Sequence, residues 1–292
     1  HPAPAAVAAP AGPRGRALRS VLVAALVACP ALVAPFALAC GPDTDCPVPG
    51  GSYRIAFPDG GPKPDARAPV LVHFHGWRDS AAGVMANEGL RDAAQRLGAV
   101  LVAPDGRENT WSFPGSPSAH RDEFAFVEAV LADAAERFPL DMDRVVASGF
   151  SMGGSMAWFA ACRLGERFLG FVTIAGAYWD PVPDACPSPP PVMVHVHGTA
   201  DGVVPMEGRP IRQVYRQSDV RRSVASWFPD GCVAEPAPPV ADLACERRSG
   251  CGRGGSVTLC LHQGGHEILP EWIEAGWAVV EAEAARSGRA GR

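Results

Sequence analysis

The stretch Val145-Val146-Ala147-Ser148-Gly149-Phe150-Ser151-Met152-Gly153-Gly154 decides how the rest of the chain reads. A β-branched run leads into Gly-Phe-Ser-Met-Gly, and small and apolar residues follow from Ser155 to Cys162. The pattern predicts a strand, a sharp turn at Ser151 and a helix starting at Met152. A turn this tight strains the backbone at the serine, so Gly149 and Gly153 must lack side chains for strand and helix to approach. Ser151 Oγ is then pushed out above the sheet edge. The N–H of Met152, at a helix N-terminus, points at the same place and suits a developing oxyanion. A serine so placed needs a base and an acid from elsewhere in the chain.

Other segments read as strands alternating with helices. Ser52–Phe57 alternates as a half-buried strand, and Pro69–His75 is a continuous apolar strand of the kind covered on both faces. Met85–Leu97 has helical spacing and is followed by Gly98; Ala99–Ala103 is the next strand. An irregular loop carrying Trp111 leads to a helix over Arg121–Phe138. After Ser151 and its helix come a strand over Phe171–Ala175, a proline-rich bridge, a strand over Val192–His197 and a helix near Asp219–Phe228. A Cys/Pro/Gly-rich insertion at 229–255 precedes the last strand, Val257–Leu261, and Pro270 opens the final helix. This order predicts an α/β fold: a mostly parallel central sheet with helices on both faces and no large cap domain.

In such a sheet, function sits at the carboxyl ends of the strands. Gly76-Trp77 follows the first parallel strand, the Trp111 loop the second and Ser151 the third. Tyr178 and Trp179 come after Ala175, Asp201 after His197, and His266 after Leu261. A serine, an acid and a histidine in that chain order, each just past a strand, is the triad order of the α/β-hydrolase fold. His266 is the expected proton acceptor for Ser151, because imidazole titrates near neutrality. Asp201 would orient it. Asp180 and Asp184, after an earlier strand, compete for the acid's place. The second oxyanion donor is expected from Trp77 N–H, beside Met152 N–H. His75 is expected to brace that loop, while His73, His195 and His197 lie inside strands and read as core or supporting groups. Trp77, Trp111 and Trp179 share the active edge, which predicts an aromatic cleft for substrate.

Four segments together carry a resemblance: His75-Gly76-Trp77, Gly149–Gly154, His197-Gly198-Thr199-Ala200-Asp201-Gly202-Val203-Val204-Pro205 and Gly264-Gly265-His266. They resemble the secreted polyhydroxybutyrate depolymerase and feruloyl esterase group of bacterial α/β-hydrolases, over roughly residues 46–285. The resemblance implies that Asp201 is the triad acid and that the substrate is a polymeric or aromatic ester. The sequence departs from the group at His266-Glu267-Ile268-Leu269-Pro270, where many members have Trp-Pro directly after Gly-His. That departure falls on the pocket rim. A non-catalytic surface or carbohydrate-binding protein on the same scaffold, a serine peptidase and an acyltransferase are the competing readings.

The remaining features bound the setting. Arg14, Arg16 and Arg19 precede an apolar run, Val21–Leu38, and Ala37-Leu38-Ala39 fits a cleavage site. Residues 1–39 are therefore read as a signal peptide, 40–286 as the catalytic domain and 287–292 as a frayed tail. Pro30 and Pro35 interrupt the apolar run, which favours cleavage over an anchor and leaves no stable membrane span; lipid attachment at Cys40 is the lesser alternative. Nine cysteines less Cys29 leave eight, an even number suited to an oxidising compartment outside the cytoplasm. Cys40 and Cys46 are close enough to close a small loop, and Cys245 and Cys260 lie on two apparent strands around a Gly-rich turn, where they would face each other in a hairpin; Cys162 with Cys186 and Cys232 with Cys251 complete the set. No metal site is implied, because Cys245 and Cys251 lack metal-ligand spacing, and no organic cofactor is implied. A net charge of −5 argues against nucleic acid as a partner. The protein is expected to be a monomer.

Overall fold

The computed structural model describes residue 12 and residues 40–287, apart from 60, 62, 64–65, 229–231, 233 and 251–252. The expected signal peptide, except Gly12, lies outside the described residues, as does the tail beyond Ser287. At the start of the expected tail, Ser287 Oγ donates to Ala284 O at 3.1 Å at the end of the last helix.

Strands β1 (Cys46–Val48) and β2 (Gly51–Ala56) form a hairpin at one sheet margin. Strand β3 (Ala68–Phe74) follows, and all of it after Ala68 is buried. Its pleat sends Val70, Val72 and Phe74 into one apolar cluster and Leu71 into the other, one on each face of the sheet. The single helix expected over Met85–Leu97 is instead two, α1 (Ala81–Ala86) and α2 (Glu88–Arg96). Asn87 between them takes extended backbone and accepts the Leu90 N–H on Oδ1 at 3.2 Å. Asn favours such a cap because its short side chain competes with the helix for backbone donors. Strand β4 (Val100–Pro104), helix α3 (Glu123–Arg137), strand β5 (Leu140–Phe150) and helix α4 (Met152–Leu164) come next. Asp122 caps α3 by accepting two backbone N–H groups, those of Phe124 and Ala125.

Strands β6 (Gly170–Ile174) and β7 (Val192–Gly198) continue the sheet. A small separate ribbon, β8 (Arg209–Ile211) with β9 (Tyr215–Gln217), precedes helix α5 (Val220–Ala225). The insertion at 229–255, read from sequence as Cys/Pro/Gly-rich, extends the sheet. It holds β10 (Glu235–Val240), β11 (Leu243–Gly250) and the start of β12 (Arg253–His262). Helix α6 (Pro270–Arg286) ends the described chain, with Pro270 in its first turn as expected.

The ten-stranded sheet has the order β1-β2-β4-β3-β5-β6-β7-β12-β11-β10. The six strands from β4 to β12 run parallel, and antiparallel strands flank them on both sides. Phe126 and Val127 of α3, Met156 and Phe159 of α4 and Val220 of α5 fill one cluster. Val84, Leu90, Trp272, Ile273, Trp277 and Val280 from α1, α2 and α6 fill the other. Removing each of these side chains from water contributes roughly 1.5–3 kcal/mol. Covered on both faces, the inner strands hold their carboxyl ends in one rigid row.

Disulfides join Cys40 to Cys46, Cys162 to Cys186 and Cys245 to Cys260. Cys245 stands directly opposite Cys260 in the β11–β12 register. Cys232 is also disulfide-bonded, and Cys251, its expected partner, lies outside the described residues. Cys162–Cys186 ties the β6–β7 connection to α4 across 24 positions of sequence. A closure of that length restricts the unfolded chain by about 3 kcal/mol. Among the described residues no helix is long and apolar enough to cross a membrane.

The sheet interior carries histidine. His73 of β3 is 2% exposed, and its Nδ1 is 2.6 Å from Ser148 Oγ of β5. Burial, helped by His75 nearby, pushes His73 down from 6.5 to about 3. Between those values the unfolded chain binds the extra proton and the folded chain does not. Stability therefore rises with pH through this window and is lost as pH falls through it. At pH 4.5 this one group withdraws roughly 2–3 kcal/mol. We expect the urea midpoint to drop clearly between pH 7.5 and pH 4.5, measured by tryptophan fluorescence; an unchanged midpoint would contradict a neutral buried His73.

Candidate active site

At the carboxyl end of β5 the chain turns into α4 at Ser151, with φ 58° and ψ −119°. A non-glycine residue adopts this backbone only when its surroundings force it. The surroundings here are unusually close. A Cβ on Gly149 would lie 2.2 Å from Gly153 O, and one on Gly153 would lie 1.9 Å from Phe74 O. Gly154 is similarly close to Ile174 O, at 2.7 Å. So α4 sits directly on β3, β5 and β6, as the glycine spacing requires. Ser151 N–H is held by Ile174 O at 3.0 Å, and Ser151 O accepts Ser155 N–H at 2.9 Å. These contacts leave the Oγ projecting at the sheet edge.

His266 and Asp201 meet it there. His266 Nε2 is 2.8 Å from Ser151 Oγ, and His266 Nδ1 is 2.7 Å from Asp201 Oδ2. Asp201 is buried, and its other oxygen, Oδ1, accepts the N–H groups of Val203 and Val204, each at 2.8 Å. Because Oδ2 accepts from His266, the proton of the neutral imidazole sits on Nδ1 and Nε2 is free to accept from Ser151. Phe150 packs on the His266 ring at 4.7 Å between centroids. Neither competitor for the acid's place joins this group: Asp180 pairs with Arg216 and Arg222, and Asp184 is exposed.

The two turns expected to supply the oxyanion donors border the serine. Met152 N–H is the first of α4 and has no acceptor within its own helix. A Cβ on Gly76 would be 3.8 Å from Ser151 Cβ, so the Gly76-Trp77 turn lies against the serine. That turn is braced from below. Gly106 N–H donates to His75 Nε2 at 2.8 Å, so the ring carries its proton on Nδ1 and donates it to Gly76 O at 2.8 Å. Burial keeps His75 below its ordinary value, although the Gly76 carbonyl pulls the other way. Arg78 N–H donates to Asn109 O, and Asn109 Nδ2 donates to Asp79 O, both at 2.8 Å. Asn109 has φ 59°, a left-handed conformation that Asn tolerates better than most residues. This clamp could not be found from the sequence, where Asn109 is one polar residue in a loop.

The aromatic cleft expected from three tryptophans is corrected. Trp111 is fully buried; its Nε1–H donates to His75 O at 2.8 Å, and its ring packs on Phe74 and His75. Trp179 is buried too, against Phe113. Indole needs one partner for its N–H and otherwise gains most from leaving water, so Trp111 turns inward to a backbone carbonyl. Only Trp77 stays open, 58% exposed, with the Arg78 guanidinium 4.2 Å from its ring centre. A buried ion pair supports the Trp111 loop from outside. Arg121 Nη2 lies 2.8 Å from Glu123 Oε2, while Glu123 Oε1 accepts Ser112 N–H. Burial pushes Glu123 up and Arg121 down from their ordinary values, and their mutual contact opposes both shifts. Among the described residues no three His, Cys, Asp or Glu side chains are grouped to hold a metal ion.

A strained serine on a strand-to-helix turn, with histidine and carboxylate from later strand ends, defines the α/β-hydrolase class. The chain belongs to the alpha/beta hydrolase fold family, whose model matches residues 69–223. It is similar to Feruloyl esterase B from Piromyces equi, with 26% identity over 78% of this chain and 44% of that protein. It is also similar to Feruloyl esterase C from Emericella nidulans, with 24% identity over 76% of this chain and 78% of the other. The chain spans 44%, 47% and 57% of the length of three of its curated relatives, about half. Among solved structures, esterase PE8 shares the fold with a TM-score of 0.51 and 18% identity, covering 78% of this chain and 96% of that one.

If Trp111 holds the His75 carbonyl, Trp111→Phe keeps the ring and loses one buried bond. The expected result is a fall in kcat of about 3–10-fold with KM nearly unchanged on a soluble ester, and a Tm lower by about 2–4 °C. Steady-state kinetics with thermal unfolding checks both. A rise in KM alone would return Trp111 to the substrate cleft.

Proposed function

We propose that the protein is an exported serine carboxylesterase acting on polymeric or aromatic esters of the feruloyl, acetyl or polyhydroxybutyrate type. The observation that carries the reading is the continuous contact from Ser151 Oγ through His266 to Asp201, at 2.8 and 2.7 Å. In the reaction, His266 Nε2 takes the Ser151 proton as Oγ bonds to the acyl carbon. The carbonyl oxygen becomes an oxyanion facing the N–H groups of Met152 and Trp77. His266 returns its proton to the departing alcohol, leaving the acyl group on Ser151. Water then repeats the sequence: His266 takes its proton, the acyl–serine bond breaks, and the proton returns to Ser151. Asp201 keeps the imidazole oriented and balances its transient positive charge.

The substrate class draws support from the relatives' names and from the surface near the site. Trp77, Val203 and Leu269 are exposed, and each sits within three residues of a position that bears on the chemistry: Gly76, Asp201 or His266. Apolar groups left open around a serine suit a large ester better than a small charged one. Export draws support from the signal-like features of residues 1–39 and from the disulfides.

Wild type should hydrolyse p-nitrophenyl acetate and take a fluorophosphonate label at Ser151. Ser151→Ala should lose at least about 10³–10⁴ of kcat and take no label. Undiminished hydrolysis by the variant would sink the role of Ser151, and a wild type that neither labels nor hydrolyses would favour a binding protein. A panel of feruloyl esters, acetylated sugars and 3-hydroxybutyrate oligomers then ranks the acyl groups.

A further inference from the structure

Next to Asp201 runs a file of buried polar groups that the reaction above leaves unused. Thr173 of β6 and His195 and His197 of β7 are all fully buried. Thr173 Oγ1 is 2.7 Å from His195 Nδ1, His195 Nε2 is 3.0 Å from His197 Nδ1, and His197 Nε2 is 2.7 Å from Val204 O. The last partner fixes every proton in the file. A carbonyl can only accept, so His197 carries its hydrogen on Nε2 and its Nδ1 must accept. His195 therefore donates from Nε2, its Nδ1 accepts, and the Thr173 hydroxyl donates. All three donors point the same way, toward the Asp201 loop.

The end of the file grips the residue that holds the acid. Val204 is bonded on both of its backbone groups: its C=O accepts from His197 at 2.7 Å and its N–H donates to Asp201 Oδ1 at 2.8 Å. His197 Nε2 is also 3.8 Å from Asp201 Oδ2, the oxygen that faces His266. Two aligned imidazoles thus present their positive ends to a carboxylate that has little water around it.

We propose that Thr173, His195 and His197 form a neutral, one-way hydrogen-bond relay that positions and electrostatically supports Asp201, with His197 a positioning residue for the Asp201–His266 pair. The proposal rests on the triad reading above and deepens it. Burial, the largest influence on both rings, holds His195 and His197 below the ordinary histidine range, so the relay stays neutral and keeps its direction. A relay of this kind costs nothing in net charge. A charged donor in the same place would need its own counter-ion in the sheet interior.

Three variants test it: His197→Phe removes the donor, His197→Gln keeps an N–H for Val204 O, and Thr173→Val cuts the far end while keeping the volume. The readouts are kcat and KM on p-nitrophenyl acetate, Tm, and the low-field proton resonance of the His266–Asp201 hydrogen bond. His197→Phe should lower kcat about 10–100-fold with KM within about twofold, and move or broaden the low-field resonance. His197→Gln should recover most of that loss. Thr173→Val should lower kcat by a smaller factor, about 2–5-fold, and shift the same resonance in the same direction. A folded His197→Phe with wild-type kcat and resonance overturns the proposal, as does a His197→Gln no better than the Phe variant. A Thr173→Val that leaves the resonance unmoved overturns the relay. If His197→Phe fails to fold, the Gln and Val variants decide alone. Failure of the triad reading is separately visible, as activity that survives Ser151→Ala.

Discussion

The backbone of Ser151 is the constraint on which this molecule depends. Its φ of 58° and ψ of −119° lie outside the regions a side-chain-bearing residue prefers, and such a conformation costs on the order of 1–3 kcal/mol. It persists because β5 and α4 have no room to relax. Gly149, Gly153 and Gly154 each face backbone carbonyls of neighbouring elements at distances no Cβ could tolerate. A serine on a relaxed turn would have several positions for its hydroxyl. Here close packing fixes the backbone that carries it, and His266 is in contact with its oxygen.

The other participants are fixed by hydrogen bonds to backbone more than by their own packing. Asp201 is set by two amides, those of Val203 and Val204. The Gly76-Trp77 turn is set by His75, Asn109 and Trp111, each bonded to its main chain or to the residues beside it. Loops at the ends of parallel strands are free to vary, since the sheet's stability does not depend on them. Such a loop becomes a precise device only when its carbonyls and amides have dedicated partners, and this protein recruits them from the sheet interior and from adjoining loops.

Much of this was legible in the sequence, for identifiable reasons. The elbow showed because its glycines are required locally, whatever packs around them. Asp201 and His266 showed because parallel strands are long apolar runs and the residues just beyond them are easy to place. What could not be read was direction. Trp111 and Trp179 lie on the active edge as expected, but whether an indole faces solvent or turns back depends on a distant carbonyl, here that of His75. Asn87 was hidden because the helical spacing continues across it, although the backbone breaks there to cap α2. β10, within the insertion at 229–255, was hidden by its prolines, which rarely occupy strands, a rule that applies to interior strands and not to the outermost one.

That outermost strand has a consequence of its own. β10 reads Glu235-Pro236-Ala237-Pro238-Pro239-Val240, and its inner side is paired to β11. Strand residues offer their outward amides alternately, and each alternate set here contains proline: Pro236 and Pro238 in one, Pro239 in the other. An arriving strand finds no unbroken row of donors, whichever register it tries. The sheet is therefore finished at this margin by the absence of amide hydrogen, and molecules crowded together find no continuous ladder along which to splice their sheets.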